Sequence, residues 1–491
     1  MFAEFCFTQH LILYPKMKEY LQFYIDGQWV DPVQPETLDV INPATEQAFA
    51  VVSVGNKNDV DLAVKAARNA FNHYSTWSVA QRSELLENVL ATYEKRIGDI
   101  GDAIMNEMGA PRYLAHGSQA VTGINHIKSA IKSLNTFEFE REMDGKLIRH
   151  ESIGVCGMIT PWNWPINQIA SKVSPALAAG CAMLLKPSEI APISGIVFTE
   201  ILHEAGVPAG VFNLVNGYGV TVGEAMSAHP DIDMMSFTGS ARGGIAVAKA
   251  SADSVKRVGQ ELGGKSANII LQDADIAMAV DKGVHFMMNN SGQSCNAPTR
   301  MLVPNSKMDE AIAAATNAAM NVTVGDPDKE GVEIGPVVSE AQFNKIQGLI
   351  EKGIDEKAEL IAGGMGKPDN LDKGYYVKPT VFANVKNDMT IAREEIFGPV
   401  LAILGYDDED EAVTIANDSD YGLSAYVYSD DFEHARRVAN RLRAGQVHIN
   451  YKTGDTDTPF GGYKQSGNGR EKGLWGLQEF LEVKAITGYQ A

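Results

Sequence analysis

The sequence predicts an α/β fold with two doubly wound αβ lobes and one small β-hairpin. Short apolar strands alternate with helices after about residue 153, with strands at 153–160, 182–186 and 234–238. Strands that are separated by helices pair in parallel and are covered by helices on both faces. A second alternating block begins with a strand at 267–271 and runs to about residue 450, so we expect a second lobe and a cleft between the two.

Helical periodicity dominates the chain before this alternating part. Residues 58–132 contain few clusters of β-branched side chains, and Asn58 and Asp59 are cap-type residues that predict a helix start. The pattern further predicts helices at 175–180, 192–205 and 241–252 and strands at 211–215, 300–303 and 401–404.

A hairpin is predicted around Asp144-Gly145, a dipeptide that favours two-residue turns. The flanking residues 137–142 and 146–150 alternate between polar and apolar side chains, and residues 480–486 near the C-terminus are also strand-like. From these residues alone, an ordinary edge hairpin is an equally simple interpretation.

Composition excludes several classes of function. The 491 residues suggest two to four domains, and 45% hydrophobic with 21% charged residues is typical of a globular protein. The net charge of -20 contains no Lys/Arg run, so nucleic acid is not an expected partner. No apolar stretch reaches the roughly 18 residues that span a bilayer, so no membrane association is expected.

The cysteines predict a reducing, cytoplasmic location and no metal site. The four cysteines form no C-x-x-C pair and lie near no histidine cluster. Cys156 and Cys181 lie in apolar runs, as buried structural cysteines do. Residues 1–16 lack the basic start and the cleavage site of a secretory signal, and Met17 begins an ordinary segment. We therefore interpret residues 1–16 as a non-native or mis-assigned extension.

Two segments suggest covalent chemistry. Cys295 ends the run N-S-G-Q-S-C, and Glu261 begins E-L-G-G-K-S. A thiol can add to a carbonyl carbon, and a carboxylate can activate water against the resulting thioester. Residues 259–266 also fit the phosphate-binding pattern G-x-x-x-x-G-K-S, but that loop requires a helix after Lys-Ser. Because residues 267–271 predict a strand, we reject a nucleoside triphosphate site.

Three further segments lie at predicted strand ends, where doubly wound sheets bind dinucleotides. Gly239 and Ser240 follow one strand and open a helix, whose free amides suit a pyrophosphate. This signal is weak alone because a G-x-G-x-x-G fingerprint is absent. The segment K-P-S-E at 186–189 ends a second strand, and P-W-N-W-P at 161–165 ends a third. A hydrophobic corner explains the two tryptophans of the last segment but not Asn163.

These segments resemble the signatures of the NAD(P)-dependent aldehyde dehydrogenase superfamily, as do E-E-I-F-G-P at 394–399 and P-F-G-G-Y-K-Q-S-G at 459–467. The resemblance extends from about Tyr24 to the C-terminus. It implies two Rossmann-like lobes: an NAD-binding domain at 17–132 and 151–260, and a catalytic domain at 261–450. It also implies an oligomerisation segment at 133–150 and 478–491, and hence a homodimer or homotetramer.

The resemblance implies four catalytic residues. Cys295 is the nucleophile, and Asn163 with the backbone N–H of Cys295 forms the oxyanion hole. Glu261 activates water, and Glu471 is a neighbouring acid that can relay a proton to Glu261. The implied reaction is the NAD-dependent oxidation of a small-molecule aldehyde to a carboxylic acid.

The resemblance also assigns binding residues. Lys186 and Glu189 contact the adenosine ribose; the carboxylate favours NAD, although NADP is possible. The implied cofactor residues are Trp162, Lys186, Glu189, Gly219, Gly239, Ser240, Leu262, Glu395 and Phe397. The implied substrate tunnel is lined by Trp164, Asn167, Gln168, Ser171 and Asn296. Because most of these tunnel residues are polar, we expect short or polar aldehydes to be preferred over long alkyl aldehydes.

Two alternatives remain open at this stage. An aldehyde dehydrogenase that transfers the acyl group to coenzyme A generally lacks a carboxylate at the position of Glu261. A catalytically silent, crystallin-like protein on the same fold would not require the set Asn163, Glu261, Cys295 and Glu395. The intact set favours the hydrolytic enzyme over both.

Overall fold

The computed structural model describes residues 17–489, so the interpretation of residues 1–16 lies outside the described part. The strands, in chain order, are β1 (Lys18–Tyr20), β2 (Phe23–Ile25), β3 (Gln28–Val30), β4 (Thr37–Asn42), β5 (Gln47–Ser53), β6 (Glu140–Met143), β7 (Lys146–Ser152), β8 (Val155–Ile159), β9 (Ala182–Lys186), β10 (Phe212–Leu214), β11 (Met234–Thr238), β12 (Arg257–Glu261), β13 (Ala267–Ile270), β14 (Arg300–Pro304), β15 (Glu359–Ala362), β16 (Thr380–Ala383), β17 (Val400–Tyr406), β18 (Ser424–Tyr428), β19 (Gln446–Ile449), β20 (Gly467–Asn468) and β21 (Leu481–Thr487).

The α-helices are α1 (Lys57–Tyr74), α2 (Val79–Met108), α3 (Arg112–Leu114), α4 (Ala120–Thr136), α5 (Pro165–Ala179), α6 (Ile193–Glu204), α7 (Glu224–Ala228), α8 (Ala241–Ser251), α9 (Ile276–Met288), α10 (Met308–Asn321), α11 (Glu340–Asp355), α12 (Thr390–Arg393), α13 (Glu409–Asn417), α14 (Phe432–Ala439) and α15 (Gly473–Glu479). A π-helical turn at Ala115–Gln119 joins α3 to α4. None of the described helices is long and apolar enough to cross a membrane.

The first large sheet has the order β20-β12-β11-β8-β9-β10-β2-β3. Strands β12, β11, β8, β9 and β10 are parallel to one another. Strands β20 and β2 pair antiparallel with the two ends of this parallel set, and β3 pairs antiparallel with β2. The chain proceeds from β8 through β9 to β10 and then returns to the other side of β8 with β11. The strand order therefore reverses between β8 and β11, which is where doubly wound sheets bind ligands.

Both faces of this sheet are buried, as the apolar strands predict. Alternate residues of β8 enter different cores: Cys156 and Met158 pack on the side of α2, α4, α5 and α6, whereas Val155 packs on the side of α1 and α7. Successive side chains of a strand point to opposite faces, so one continuous apolar run supports two helical layers. The predicted doubly wound fold is confirmed.

The second large sheet has the order β15-β16-β17-β14-β13-β18-β19 and is parallel except for β15. It is also covered on both faces, with Ile269 and Leu302 in one core and Ile270 and Met301 in the other. Because β13 follows Lys265 and Ser266 directly, no helix begins after Lys-Ser, which agrees with the rejection of a phosphate-binding loop.

The predicted hairpin is present as β6 and β7, with Asp144 and Gly145 at positive φ in the turn. Strand β21 pairs antiparallel with β7 over its whole length and completes a three-stranded sheet. A separate three-stranded sheet near the N-terminus has the order β1-β5-β4.

Two local predictions differ from the structure. The first helix is capped by Asn56 rather than by Asn58, because the Asn56 side chain accepts the Asn58 N–H while Asp59 accepts the Asn56 N–H. The helix predicted at 175–180 begins ten residues earlier, as α5 at Pro165. Proline is suited to the first position of a helix, and Pro175 is accommodated inside α5. The domain boundaries drawn from the sequence stay predictions.

Candidate active site

Several predicted site residues lie at the carboxyl ends of four of the five parallel strands in the first sheet. Trp162 and Asn163 follow β8, Lys186 ends β9, Gly239 follows β11 and Glu261 ends β12. Parallel strands all end at one edge of a sheet. These residues therefore lie at the same edge, although they are far apart in the sequence.

A cleft of about 200 Å³ opens at this edge. It brings together residues from the first lobe with Cys295 and with residues that follow α12 of the second lobe. The predicted residues that line it are Trp162, Asn163, Gln168, Gly239, Ser240, Leu262, Cys295, Glu395 and Phe397. Residues assigned separately to catalysis and to the cofactor thus share one cleft.

The loop before Cys295 is held in an unusual conformation. Asn290 and Ser291 both have positive φ, at 56° and 55°. The Asn290 side chain donates to the carbonyl of Asn163 (2.9 Å), and Gln119 donates to the Asn290 side chain (3.0 Å). Left-handed backbone at residues other than glycine persists where surrounding contacts enforce it. The side-chain amides of Asn290 and Gln119 therefore hold the loop that precedes Cys295.

Asn163 faces the same loop. Its Nδ2 donates to the backbone carbonyl of Gln293 at 3.0 Å, and the side chain is almost fully buried. An amide nitrogen has two hydrogens, so this bond leaves one for another acceptor near Cys295. Asn163 and Cys295 both line the cleft, so the predicted role of Asn163 in an oxyanion hole stays a prediction.

Cys295 is half-buried, and its surroundings disfavour the thiolate. Burial, followed by the nearby carboxyl groups of Glu395 and Glu261, raises the pKa of Cys295 to about 12. The Lys472 ammonium acts in the opposite direction. By contrast, Cys156 and Cys181 are completely buried in the core, as predicted.

Glu261 is the most isolated carboxyl group of the site. It is almost fully buried, and neither of its oxygens has a hydrogen-bond partner within residues 17–489. Burial, together with the neighbouring Glu471, raises the pKa of Glu261 well above its ordinary value, against the lowering effect of Lys172, Arg470 and Lys472. A carboxyl group in this setting is a strong proton acceptor once ionised.

Glu471 lies beside Glu261 and is paired. It accepts from the Lys172 ammonium and from the Ser171 hydroxyl (3.1 Å). Glu261, Glu471 and Ser171 line a cavity of about 20 Å³, which is large enough for one water molecule. This geometry suits the predicted relay of a proton between the two acids.

Two glycines of E-L-G-G-K-S allow the lobes to meet. A Cβ on Gly264 would lie 2.4 Å from the backbone oxygen of Cys295, and one on Gly263 would lie 2.5 Å from a Glu395 oxygen. The Gly264 N–H also donates to Glu395 Oε1 at 2.8 Å. The absence of side chains at both positions therefore lets the nucleophile and Glu395 approach the end of β12.

The aromatic pair Trp162 and Phe397 forms another part of the cleft wall. Their ring centroids are 5.4 Å apart and the rings are perpendicular, a favourable edge-to-face arrangement. Phe397 has a positive φ of 61°, a backbone conformation that is rare for a residue with a side chain. The segment that contains Phe397 and Glu395 is therefore held in this conformation by its surroundings.

Three predicted cofactor residues lie away from this cleft. The Lys186 ammonium donates to Glu189 (3.1 Å) and to the carbonyls of Pro187 and Gly217 (2.9 and 2.7 Å), which uses all three of its hydrogens. Lys186 thus holds Glu189 in place, while the Glu189 carboxylate is partly exposed. Gly219 is exposed and begins a π-helical turn after β10.

Two of the predicted tunnel residues, Asn167 and Ser171, form side-chain hydrogen bonds within the protein. Asn167 Oδ1 is bonded to His126 Nε2 (2.8 Å), and Ser171 is bonded to Glu471 and to the Gln168 carbonyl. The hydroxyl of Ser171 and the Oδ1 of Asn167 therefore already have hydrogen-bond partners in the protein. Gln168 lines the cleft instead.

The remaining two tunnel residues lie beside the nucleophile. Trp164 donates its indole N–H to the Ser294 hydroxyl at 2.8 Å, and the backbone oxygen of Asn296 accepts from the Tyr426 hydroxyl at 2.9 Å. Both bonds stabilise the segment that contains Cys295.

Sequence reasoning missed three residues of the site: Lys172, His126 and Lys472. Lys172 is the one charged residue of α5 and is buried, and a buried lysine requires a partner, so a signal was available in the sequence. His126 and Lys472 have no comparable signal. Within the described residues, no group of three or more His, Cys, Asp or Glu side chains could hold a metal ion.

Comparison with known proteins gives consistent matches over nearly the whole chain. The model of the aldehyde dehydrogenase family matches residues 29–486. A 3-succinoylsemialdehyde-pyridine dehydrogenase from a Pseudomonas species is 54% identical over 475 residues, which cover 96% of this chain and 100% of the relative.

Solved structures agree with this match. A mutant of aldehyde dehydrogenase C from Pseudomonas syringae, complexed with NAD+ and octanal, superposes with a TM-score of 0.95 at 51% identity, covering 96% of this chain and 97% of that one. An aldehyde dehydrogenase from Bartonella henselae gives a TM-score of 0.94 at 51% identity, covering 96% and 100%. The chain belongs to the aldehyde dehydrogenase family.

Proposed function

We propose that this enzyme oxidises an aldehyde to a carboxylic acid with NAD, through a thioester at Cys295 that is hydrolysed. The observation that supports it best is the placement of Cys295 and Asn163 on one cleft, with the isolated Glu261 close enough to affect the thiol. The Pseudomonas syringae relative is complexed with NAD+ and octanal, which supports this choice of cofactor and substrate class. We place the enzyme with the general NAD-dependent aldehyde dehydrogenases.

In the first step, the Cys295 thiol releases its proton to solvent and the resulting thiolate attacks the aldehyde carbon. The resulting oxyanion accepts the free Nδ2 hydrogen of Asn163 and the backbone N–H of Cys295. NAD, when bound, supplies the hydride acceptor that the oxidation requires. The remaining chemistry is hydrolytic: Glu261 removes a proton from water, the water attacks the thioester, and Glu471 can pass the proton onward.

The cleft fits the nicotinamide end of NAD. Thr238 lines it with a buried hydroxyl that has no partner within residues 17–489, next to Gly239 and the N-terminus of α8. Glu395 would hold the nicotinamide ribose, and Trp162, Leu262 and Phe397 supply apolar surface for the ring. Glu189, supported by Lys186, would accept the hydroxyls of the adenosine ribose, with Gly219 nearby.

Two wider proposals follow from the fold. The sheet of β6, β7 and β21 exposes Met143 and Val483, which supports its use as the surface of a homodimer or homotetramer. The thiols of Cys156, Cys181 and Cys295 are all free, which supports a reducing, cytoplasmic location.

Replacing the nucleophile tests the proposed reaction. Cys295→Ala should reduce steady-state turnover, followed by NADH absorbance with propanal, to less than about a thousandth of the parent, because a covalent nucleophile lowers the barrier by several kcal/mol. Cys156→Ala is the matched control, and should lower thermal stability while turnover persists. Residual turnover of Cys295→Ala above that level contradicts the assignment.

Replacing the base separates oxidation from hydrolysis. Glu261→Gln should still produce a rapid burst of about one NADH per active site and then stall, because the thioester forms but is not hydrolysed. Stopped-flow absorbance measures the burst, and the exposed Glu84→Gln is the control. If the burst is lost while Cys295 still reacts with iodoacetamide, Glu261 acts before hydride transfer and the proposed order is wrong.

Replacing Glu189 tests the choice of cofactor. The parent should prefer NAD, because a carboxylate at the ribose repels the 2′-phosphate of NADP. Glu189→Gln should lower the ratio of kcat/KM for NAD over NADP on the order of tenfold. Glu204→Gln, an exposed change nearby in sequence, should leave the ratio unchanged. A parent that prefers NADP, or an unchanged ratio in Glu189→Gln, contradicts the role of Glu189.

A further inference from the structure

The loop before Cys295 is contacted from the first lobe by a buried amide, the side chain of Gln119. This residue ends the π-helical turn that joins α3 to α4, and it is completely buried. Its Nε2 donates to Asn290 Oδ1 at 3.0 Å, and Asn290 is the first of the two left-handed residues of the loop. Short π-helical turns are rare and frequently lie at functional sites.

The orientation of the Gln119 amide is dictated by Asn290. The Asn290 Nδ2 already donates, to the carbonyl of Asn163 at 2.9 Å and to the carbonyl of Gln293 at 3.3 Å. Asn290 Oδ1 therefore faces Gln119 and requires a donor, so the Nε2 of Gln119 must point towards it. In this orientation Gln119 Oε1 is buried and has no hydrogen-bond partner among residues 17–489. Because an unpaired buried carbonyl lowers stability, stability alone does not explain an amide at this position.

The second left-handed residue of the loop is held from the same part of the chain. Ser291 Oγ donates to the Gly335 carbonyl at 2.8 Å. The backbone oxygen of Gly109 leaves no room for a Cβ on Gly335, so these two backbones are in direct contact. The Arg112 N–H donates to the Pro327 carbonyl at 2.8 Å and joins the same two segments. The chain between α2 and α4 thus supports both left-handed residues.

The supported loop reaches both donors of the proposed oxyanion hole. It leads directly into Cys295, whose backbone N–H is one of them, and the Gln293 carbonyl accepts from the other, Asn163 Nδ2, at 3.0 Å. Gln293 is itself fixed, because the Val338 N–H donates to its Oε1 at 2.9 Å and its Nε2 donates to the Asn290 carbonyl at 3.2 Å. A change in the conformation of Asn290 would therefore alter the separation of the two donors.

We infer that Gln119 is a positioning residue, which sets the backbone of Cys295 against Asn163 by holding Asn290 in its left-handed conformation. Gln119 is not among the residues that line the cleft, so it acts through the loop and not on the substrate. Left-handed backbone at a residue other than glycine persists only while its surroundings enforce it. This inference rests on the proposed function, because it concerns the rate of the first step of that reaction.

Single-turnover kinetics in the Glu261→Gln background separate positioning from stability. Gln119→Leu removes the donor and keeps a side chain of similar volume. With saturating NAD and propanal, the NADH burst should keep an amplitude of about one per active site, while its rate constant falls about tenfold or more. A loss of stability alone lowers the amplitude, because only folded sites react. An unchanged rate constant overturns the inference.

Gln347→Leu is the matched control. Gln347 is also a buried amide, and its Oε1 accepts the Gly366 N–H at 2.7 Å in the second lobe, outside the residues that line the cleft. Both variants remove a buried hydrogen bond, so both should lower the melting temperature. Gln347→Leu should leave the burst rate constant unchanged, and neither variant should change the KM for NAD. An equal fall of the rate constant in both variants overturns the inference.

A second variant covers a failure of Gln119→Leu to fold. Asn290→Gly adopts the left-handed conformation without strain, and it cuts the connection between Gln119 and the carbonyl of Asn163. It should give the same fall of the burst rate constant in the Glu261→Gln background. A rate constant equal to that of Glu261→Gln alone would show that the loop is positioned without Gln119, and it overturns the inference.

An ester substrate distinguishes a failure of this inference from a failure of the proposed function. A Glu261→Gln protein that gives no NADH burst contradicts the proposed function. Acylation of Cys295 by p-nitrophenyl acetate requires no NAD, and it still depends on the nucleophile and on the donors around it. In that case Gln119→Leu should slow the release of p-nitrophenolate about tenfold relative to the parent. An unchanged release rate overturns the inference.

Discussion

The removal of the Cys295 thiol and the Glu261 carboxyl from water is the constraint on which the rest of the site depends. Burial is the largest influence on both groups and favours the protonated form of each. A thiol and a carboxyl group with raised pKa can lie close together where two anions would repel each other. The Lys172 ammonium, which pairs with Glu471, lowers the pKa of Glu261, and the Lys472 ammonium lowers the pKa of both Glu261 and Cys295.

The fold creates this site where the two lobes meet. The order of the first sheet reverses between β8 and β11, and the loops after these strands diverge to form a cleft. The second lobe closes it with Cys295 and Glu395. Close contact is possible only because Gly263 and Gly264 have no side chains.

Much of the fold and part of the site are predictable from the sequence. The strands at 182–186 and 234–238 were predicted with their observed bounds, since short apolar runs in a doubly covered sheet are unambiguous. Local periodicity could not reveal that Asn167 is bonded to His126 or that Ser171 is bonded to Glu471, because these partners come from distant segments. Lys472 was missed for the same reason, because its influence on Cys295 and Glu261 depends on segments that are distant in the sequence.

The pH dependence of Cys295 alkylation tests the central claim most directly. Iodoacetamide reacts with the thiolate alone, and the thiolate fraction grows about tenfold per pH unit below the pKa. In the protein without NAD, the account predicts a rate that keeps rising through about pH 9 with no plateau, because burial keeps the pKa of Cys295 high. A plateau reached below about pH 8 would show that the thiol is already ionised and would contradict the account.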